Sequence, residues 1–123
     1  MNEQETELKR LEEIERELQL YLIANDLQTQ IGEWGVSTFG TALTTEGIEN
    51  HLKKELLELL TAPNFESKIE EASDMLILLL HYAYRQGYDA LGEARRKFEI
   101  IKRRKWEGPD SEGCFSHVKN LYK

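Results

Sequence analysis

The run Met75-Leu76-Ile77-Leu78-Leu79-Leu80, continued by His81-Tyr82-Ala83-Tyr84, constrains this 123-residue chain more than any other feature. It falls far short of the ~20 apolar residues needed to cross a bilayer. Its flanks instead mark one longer helix. Ser67 and Glu70 have the spacing of a capping box, and Gly87 suits a C-terminal stop, so a helix is predicted from about residue 67 to Gln86. Between Met75 and Tyr84 that helix is apolar on nearly every side, and such a helix has to be surrounded by others. A chain this short supplies only part of the cover, which points to association of subunits.

The neighbours are also predicted to be helices. Over residues 3–24, Leu8, Leu11, Ile14 or Glu15, Leu18 and Leu22 recur at spacings of three and four, giving an amphipathic helix with an acidic outer face. This helix is a second candidate for a subunit interface. IGEWGVSTFGTALTTEG, with four glycines, reads as a looser connection. Thr44 or Thr45 caps a helix over about residues 46–60, which Pro63 stops. Asp89 is the expected cap of a last helix over about residues 90–105. The tail EGPDSEGCFSHVKNLYK reads as irregular, with no convincing strand anywhere. The expected fold is all-α: four helices and a tail in a single domain over residues 1–123.

Composition narrows the setting. A net charge of -7 argues against a general nucleic-acid binder, because phosphates repel the chain as a whole. The lone Cys114 excludes an internal disulfide framework and fits a reducing compartment. The N-terminal residues lack the basic-then-apolar pattern of an export signal. A soluble, cytoplasmic protein that engages neither nucleic acid nor membrane is expected.

Two charge patterns carry chemistry. Glu55 and Glu58 lie three apart on the second helix, and Glu71 and Asp74 three apart on the third, just before its apolar run. The short connection makes these helices antiparallel neighbours, so the four carboxylates can converge at one level. Crowded carboxylates repel and lose water unless a cation neutralises them, and hard oxygen-seeking ions such as Mg²⁺ or Mn²⁺ do so. Spacing alone leaves open the plainer reading of solvated surface glutamates. Asp74 favours the metal, since a charge against an apolar run needs partners. His51, one turn before Glu55, either orients a carboxylate, touches a phosphate or is an ordinary exposed histidine. The last helix carries Arg95, Arg96, Lys97, Lys102, Arg103, Arg104 and Lys105 against Glu99 alone between Ala94 and Trp106. It is a solvated basic face or a phosphate clamp, with nucleic-acid binding a third and lesser reading because interleaved aromatics are few. Trp34 and Phe39 either stack on a nucleobase or plug the core.

The succession W-x4-F-G, H-L-x2-E-x2-E, E-x2-D, K-x6-R-x-W and P-D-x2-G-x3-H, running from Trp34 to His117, resembles the MazG-like all-α nucleotide pyrophosphatases. More narrowly, it is similar to their phage-associated dATP/dGTP diphosphohydrolase branch. The resemblance implies a helical homo-oligomer, a dimer or tetramer, that cleaves a purine deoxynucleoside triphosphate between its α and β phosphates. It implies Mg²⁺, with Mn²⁺ able to substitute, on Glu55, Glu58, Glu71 and Asp74. It also implies the base against Trp34, with Phe39 nearby, and phosphates on Lys97 and Arg104, with Lys102 assisting. Ile101 stands where family members usually carry asparagine. Rival readings are a non-enzymatic helical assembly protein and a nucleotide-binding regulator with a degenerate site.

Overall fold

The computed structural model describes residues 2–119; Met1 and the last four residues of the expected tail lie outside the described residues. The fold is all-α: α1 (Glu3–Phe39), a 3₁₀ turn (Gly40–Ala42), α2 (Thr45–Thr61), α3 (Phe65–Gln86) and α4 (Ala90–Arg103), followed by a small β1 (Trp106–Glu107) and β2 (Ser116–His117) pair. Among the described residues, no helix is long and apolar enough to cross a membrane. The residues fall into two compact units, one up to Leu91 and one from Gly92 onward.

In the first unit α3 is the shared partner, packing against α2 and against α1. Three features set its bounds. Ala62, extended at φ -60 and ψ 134 before Pro63, ends α2. Asn64 then accepts a 2.9 Å bond from the Ser67 amide through Oδ1, so α3 starts at Phe65, earlier than the expected capping box at Ser67. An asparagine immediately after the proline caps as well as the serine further on and comes first, so the helix gains the extra residues. At the other end Gly87, at φ 79, takes the left-handed conformation that closes the helix. Thr44 caps α2, its hydroxyl accepting from the Gly47 amide at 3.0 Å.

The glycine-rich stretch after residue 24 is where the structure departs most from expectation. It is not a loose connection: α1 continues unbroken through Gly32 and Gly35 to Phe39 and ends at Gly40, φ 61. The reason is packing. A Cβ on Gly32 would overlap the Tyr84 ring of α3, and one on Gly35 would overlap the His81 ring. The glycines give α3 a close approach, and that packing outweighs the ~1 kcal/mol each costs in a helix interior. Among the described residues, Ile48, Leu80 and Ala83 are the buried apolar ones. Large apolar side chains elsewhere stay exposed, among them Leu8, Leu11, Leu18 and Leu22 on α1 and Leu76, Ile77 and Leu79 on α3.

The start of α4 also differs. Gln28 of α1 bridges it, accepting from the Ala90 amide at 3.0 Å and donating to the Tyr88 carbonyl at 2.7 Å. Asp89, the expected cap, leaves Oδ1 buried and without a partner. In the second unit the tail is more ordered than expected. Trp106 pairs with His117 and Glu107 with Ser116 in an antiparallel ladder, and Asp110 Oδ1 accepts from the Glu112 and Cys114 amides, both at 2.9 Å, to close the turn.

Candidate metal centre and the cavity beside it

The acidic pairs meet as the antiparallel pairing of α2 and α3 requires. Lys68 near the start of α3 donates to the Leu59 carbonyl near the end of α2 at 3.0 Å, which fixes the register of the two helices. Glu55, Glu71 and Asp74 then each present one carboxylate oxygen, and these lie within 4.8 Å of one another. Glu58, exposed one turn beyond Glu55, stands close enough to act on both Glu55 and Glu71.

Crowding shows in the electrostatics. The Glu55 carboxylate beside it, then Glu58, then burial push the Glu71 carboxyl up to about 7, from an ordinary 4.5. Glu55 is held below its ordinary value, chiefly by the adjoining Glu71 carboxyl, against the opposing effect of burial. His51 adds to this, its Nε2 lying 3.0 Å from Glu55 Oε1.

Glu55 is buried at 8% exposure, and its Oε2, like Oε2 of Glu71, is buried with no hydrogen-bond partner. Buried carboxylate oxygens left without donors are unfavourable. Carboxylate oxygens gathered this closely are the donor type that a hard divalent cation takes, so these residues fit Mg²⁺ or Mn²⁺.

A cavity of about 370 Å³ opens beside the cluster, bounded on its polar side by His51, Glu55 and Asp74. Its apolar side includes Trp34 and Phe39 of α1, whose rings meet edge to face at 5.4 Å. Trp34 is 59% exposed, so its ring lines the cavity rather than filling the core. Both aromatics, expected in a loose connection, sit on α1 and at its end.

His81, which sequence reasoning does not single out, also lines this cavity. The available signal is its spacing: seven residues from Asp74 places both on one face of α3.

The cationic candidates belong to the second unit. Lys97 and Lys102 project from α4 and Arg104 follows its last residue. Lys102 pairs with Glu99 at 2.9 Å and lies over the Phe98 ring at 4.9 Å, and Arg96 pairs with Glu93 at 3.0 Å. Lys97 and Arg104 make no ion pair among the described residues.

Residues 27–121 match the dATP/dGTP pyrophosphohydrolase family. The chain belongs to that family. It is a nucleotide pyrophosphatase, and the non-enzymatic assembly reading falls away. Among solved structures, the pyrophosphohydrolase is similar to the cyanophage S-2L MazG-like pyrophosphohydrolase, a structure bound to dGDP and three catalytic Mn²⁺ ions per active site. The two are 26% identical and superpose with a TM-score of 0.69, covering 79% of this chain and 94% of that one. Among curated proteins none matches in sequence. Both matches support the MazG-like all-α class, and the family match leaves the first 26 residues, most of the leucine row on α1, outside it.

Proposed function

We propose that this pyrophosphohydrolase hydrolyses dGTP, dATP or both to the monophosphate and pyrophosphate, using Mg²⁺ with Mn²⁺ as a substitute. The observation that carries the reading is the pair of buried, partnerless oxygens of Glu55 and Glu71 beside Asp74, at the polar side of a cavity whose other side is aromatic. Glu55, Glu58, Glu71 and Asp74 would hold the metal. A divalent ion there would supply charge against the triphosphate and lower the pKa of a bound water.

The chain's own residues do the rest. His51, 3.0 Å from Glu55 Oε1, fixes the rotamer of the most buried carboxylate. A carboxylate of the set not engaged by metal takes the proton of the attacking water. Trp34 offers a stacking face for the base, with Phe39 edge-on to it. Lys97, Arg104 and Lys102 hold the phosphates and offset the charge on the departing pyrophosphate. The chain self-associates through its exposed leucine rows on α1 and α3, and light scattering at micromolar concentration reads the subunit number.

The deciding experiment incubates the purified protein with Mg²⁺ or Mn²⁺ and each of the eight common nucleoside and deoxynucleoside triphosphates, resolving products by ion exchange. A monophosphate with pyrophosphate from dGTP or dATP is expected. Release of single phosphate, or turnover of pyrimidine substrates alone, refutes the reading. Nucleotide binding without turnover revives the degenerate-site regulator, with Ile101 the first residue to examine.

A further inference from the structure

The N-terminal part of α1 lies outside the family match, which begins at residue 27. Leu8, Leu11, Leu18 and Leu22 fall on one face of this arm, each more than half exposed. The alternating steps of three and four put Glu15 in the middle of the same row, with Glu12 beside it. Between Glu3 and Leu22 seven glutamates stand against three cations. Those cations, Lys9, Arg10 and Arg16, lie off the row, and Arg10 is already paired with Glu7 at 2.9 Å. The face is therefore apolar with an acidic centre. An apolar row of this length marks an interaction surface, and its charge limits what can cover it.

A second arm is a poor cover. Positions 8, 11, 15, 18 and 22 are spaced symmetrically about Glu15. Two arms paired in register, parallel or antiparallel, bring Glu15 against Glu15, and like charges set across a contact cost several kcal/mol. The complementary face is on α4. Leu91, Ala94, Phe98 and Ile101 recur there at three, four and three, with Leu91 47% and Phe98 48% exposed. Within α4 five cations stand against two glutamates. Arg95, bordering this row, is exposed and reaches Glu99 at 3.8 Å, a carboxylate that Lys102 already holds at 2.9 Å. With the two rows matched, Glu15 falls opposite Phe98 if the helices run parallel and opposite Ala94 if they run antiparallel. Arg95 is within one turn of both places.

We propose that the N-terminal arm of α1 docks on α4 of a second copy of this chain, leucine row on apolar row, with Glu15 facing Arg95 of the partner subunit. Each copy offers one arm and one α4, so a two-fold pair makes the contact twice. The inference rests on the self-association proposed above, naming what the α1 row meets, and is independent of nucleotide turnover.

The test exchanges the charges. Glu15 and Arg95 are both exposed, so substitution leaves the fold intact, which circular dichroism checks. Light scattering over a concentration series measures the dissociation constant of the assembly. Glu15→Lys and Arg95→Glu should each raise it at least about tenfold, by setting like charges across the contact. An equimolar mixture of the two variants should regain the wild-type constant, because in a mixed pair both contacts join unlike charges. The double variant should regain it as well. Added NaCl should loosen the wild-type assembly and bring the single variants closer to it. Constants unchanged in both single variants overturn the inference. Tighter association of Glu15→Lys also overturns it, since relief of repulsion would mean arm on arm. Recovery in the double variant without recovery in the mixture places the contact inside one chain and overturns it too. Wild type that stays monomeric throughout the series fails the proposed self-association itself, and the inference with it.

Discussion

The two flanks of α3 are built on opposite terms. Toward its C-terminal end, α3 lays the rings of Tyr84 and His81 over Gly32 and Gly35 of α1, and Leu80 and Ala83 of the same stretch are buried. Toward its N-terminal end, Glu71 and Asp74 face Glu55 of α2, where like charges crowd and buried oxygens lack partners. One flank is stabilised by fit and the other is unfavourable until something neutralises it. Because both flanks belong to one rigid helix, the first holds the second in place. The site can then keep a repulsive arrangement that the carboxylates alone would disperse.

The sharpest way to break this comparison is to spoil the fitted flank. Gly32→Ala should improve the helix propensity of α1 by about 1 kcal/mol, and at an unpacked position it would stabilise the protein. Here the new methyl runs into Cγ and both Cδ atoms of Tyr84, the root of the ring and not a movable tip. Overpacking of this kind costs about 1–3 kcal/mol or more, so the net change should be destabilising by about 2 kcal/mol. Thermal unfolding followed by circular dichroism should show a midpoint roughly 10 °C lower. A raised midpoint would show that α1 and α3 do not approach as closely as described.

Acting on the charged flank should do the reverse. Glu71→Gln keeps the shape and removes one negative charge from a group whose neighbours push its carboxyl up to about 7. On the proposed reading, in which Glu71 binds the catalytic ion, turnover should fall at least about 100-fold. In chelator the melting temperature should be unchanged or higher than wild type. An inactive variant that also unfolds readily would place Glu71 in the structural framework and dissolve the contrast between the flanks.

The contrast was only half legible in the sequence. The carboxylates could be read because their chemistry is carried by residue type and spacing: Glu55, Glu58, Glu71 and Asp74 sit at helical intervals on elements whose order is forced by a short turn. The fold class was legible for the same reason, through the periodicity of leucines and the caps at Thr44 and Gly87. The fitted flank was hidden. Gly32 and Gly35 carry the ordinary meaning of chain breakers, and nothing local says that Tyr84 and His81, some fifty residues later, occupy the space they leave. His81 was invisible for a related reason, since a histidine within an apolar run reads as part of that run until its nitrogens are seen to lack partners. The Gln28 bridge to Tyr88 and Ala90 likewise needs the fold before it exists.

The smallest expected effect is also the most diagnostic of the charged flank. Glu71 has a folded pKa of about 7 against 4.5 for an unperturbed carboxyl, so the metal-free folded state binds this proton more tightly than the unfolded chain does. Linkage then fixes the sign: such a group favours folding below its unfolded pKa, and the contribution is lost as pH rises through its folded value. In chelator, the melting temperature should therefore decline between about pH 5 and pH 8, partly offset by Glu55, whose shift runs the other way. Divalent ions should remove the decline, because a cation takes over the role of the shared proton and gains affinity as the carboxylates ionise. Melting curves at several pH values, with chelator and with Mn²⁺, measure both slopes. A flat profile in chelator would mean that Glu71 is ionised beside its neighbours without penalty, and the two flanks of α3 would then differ in packing alone.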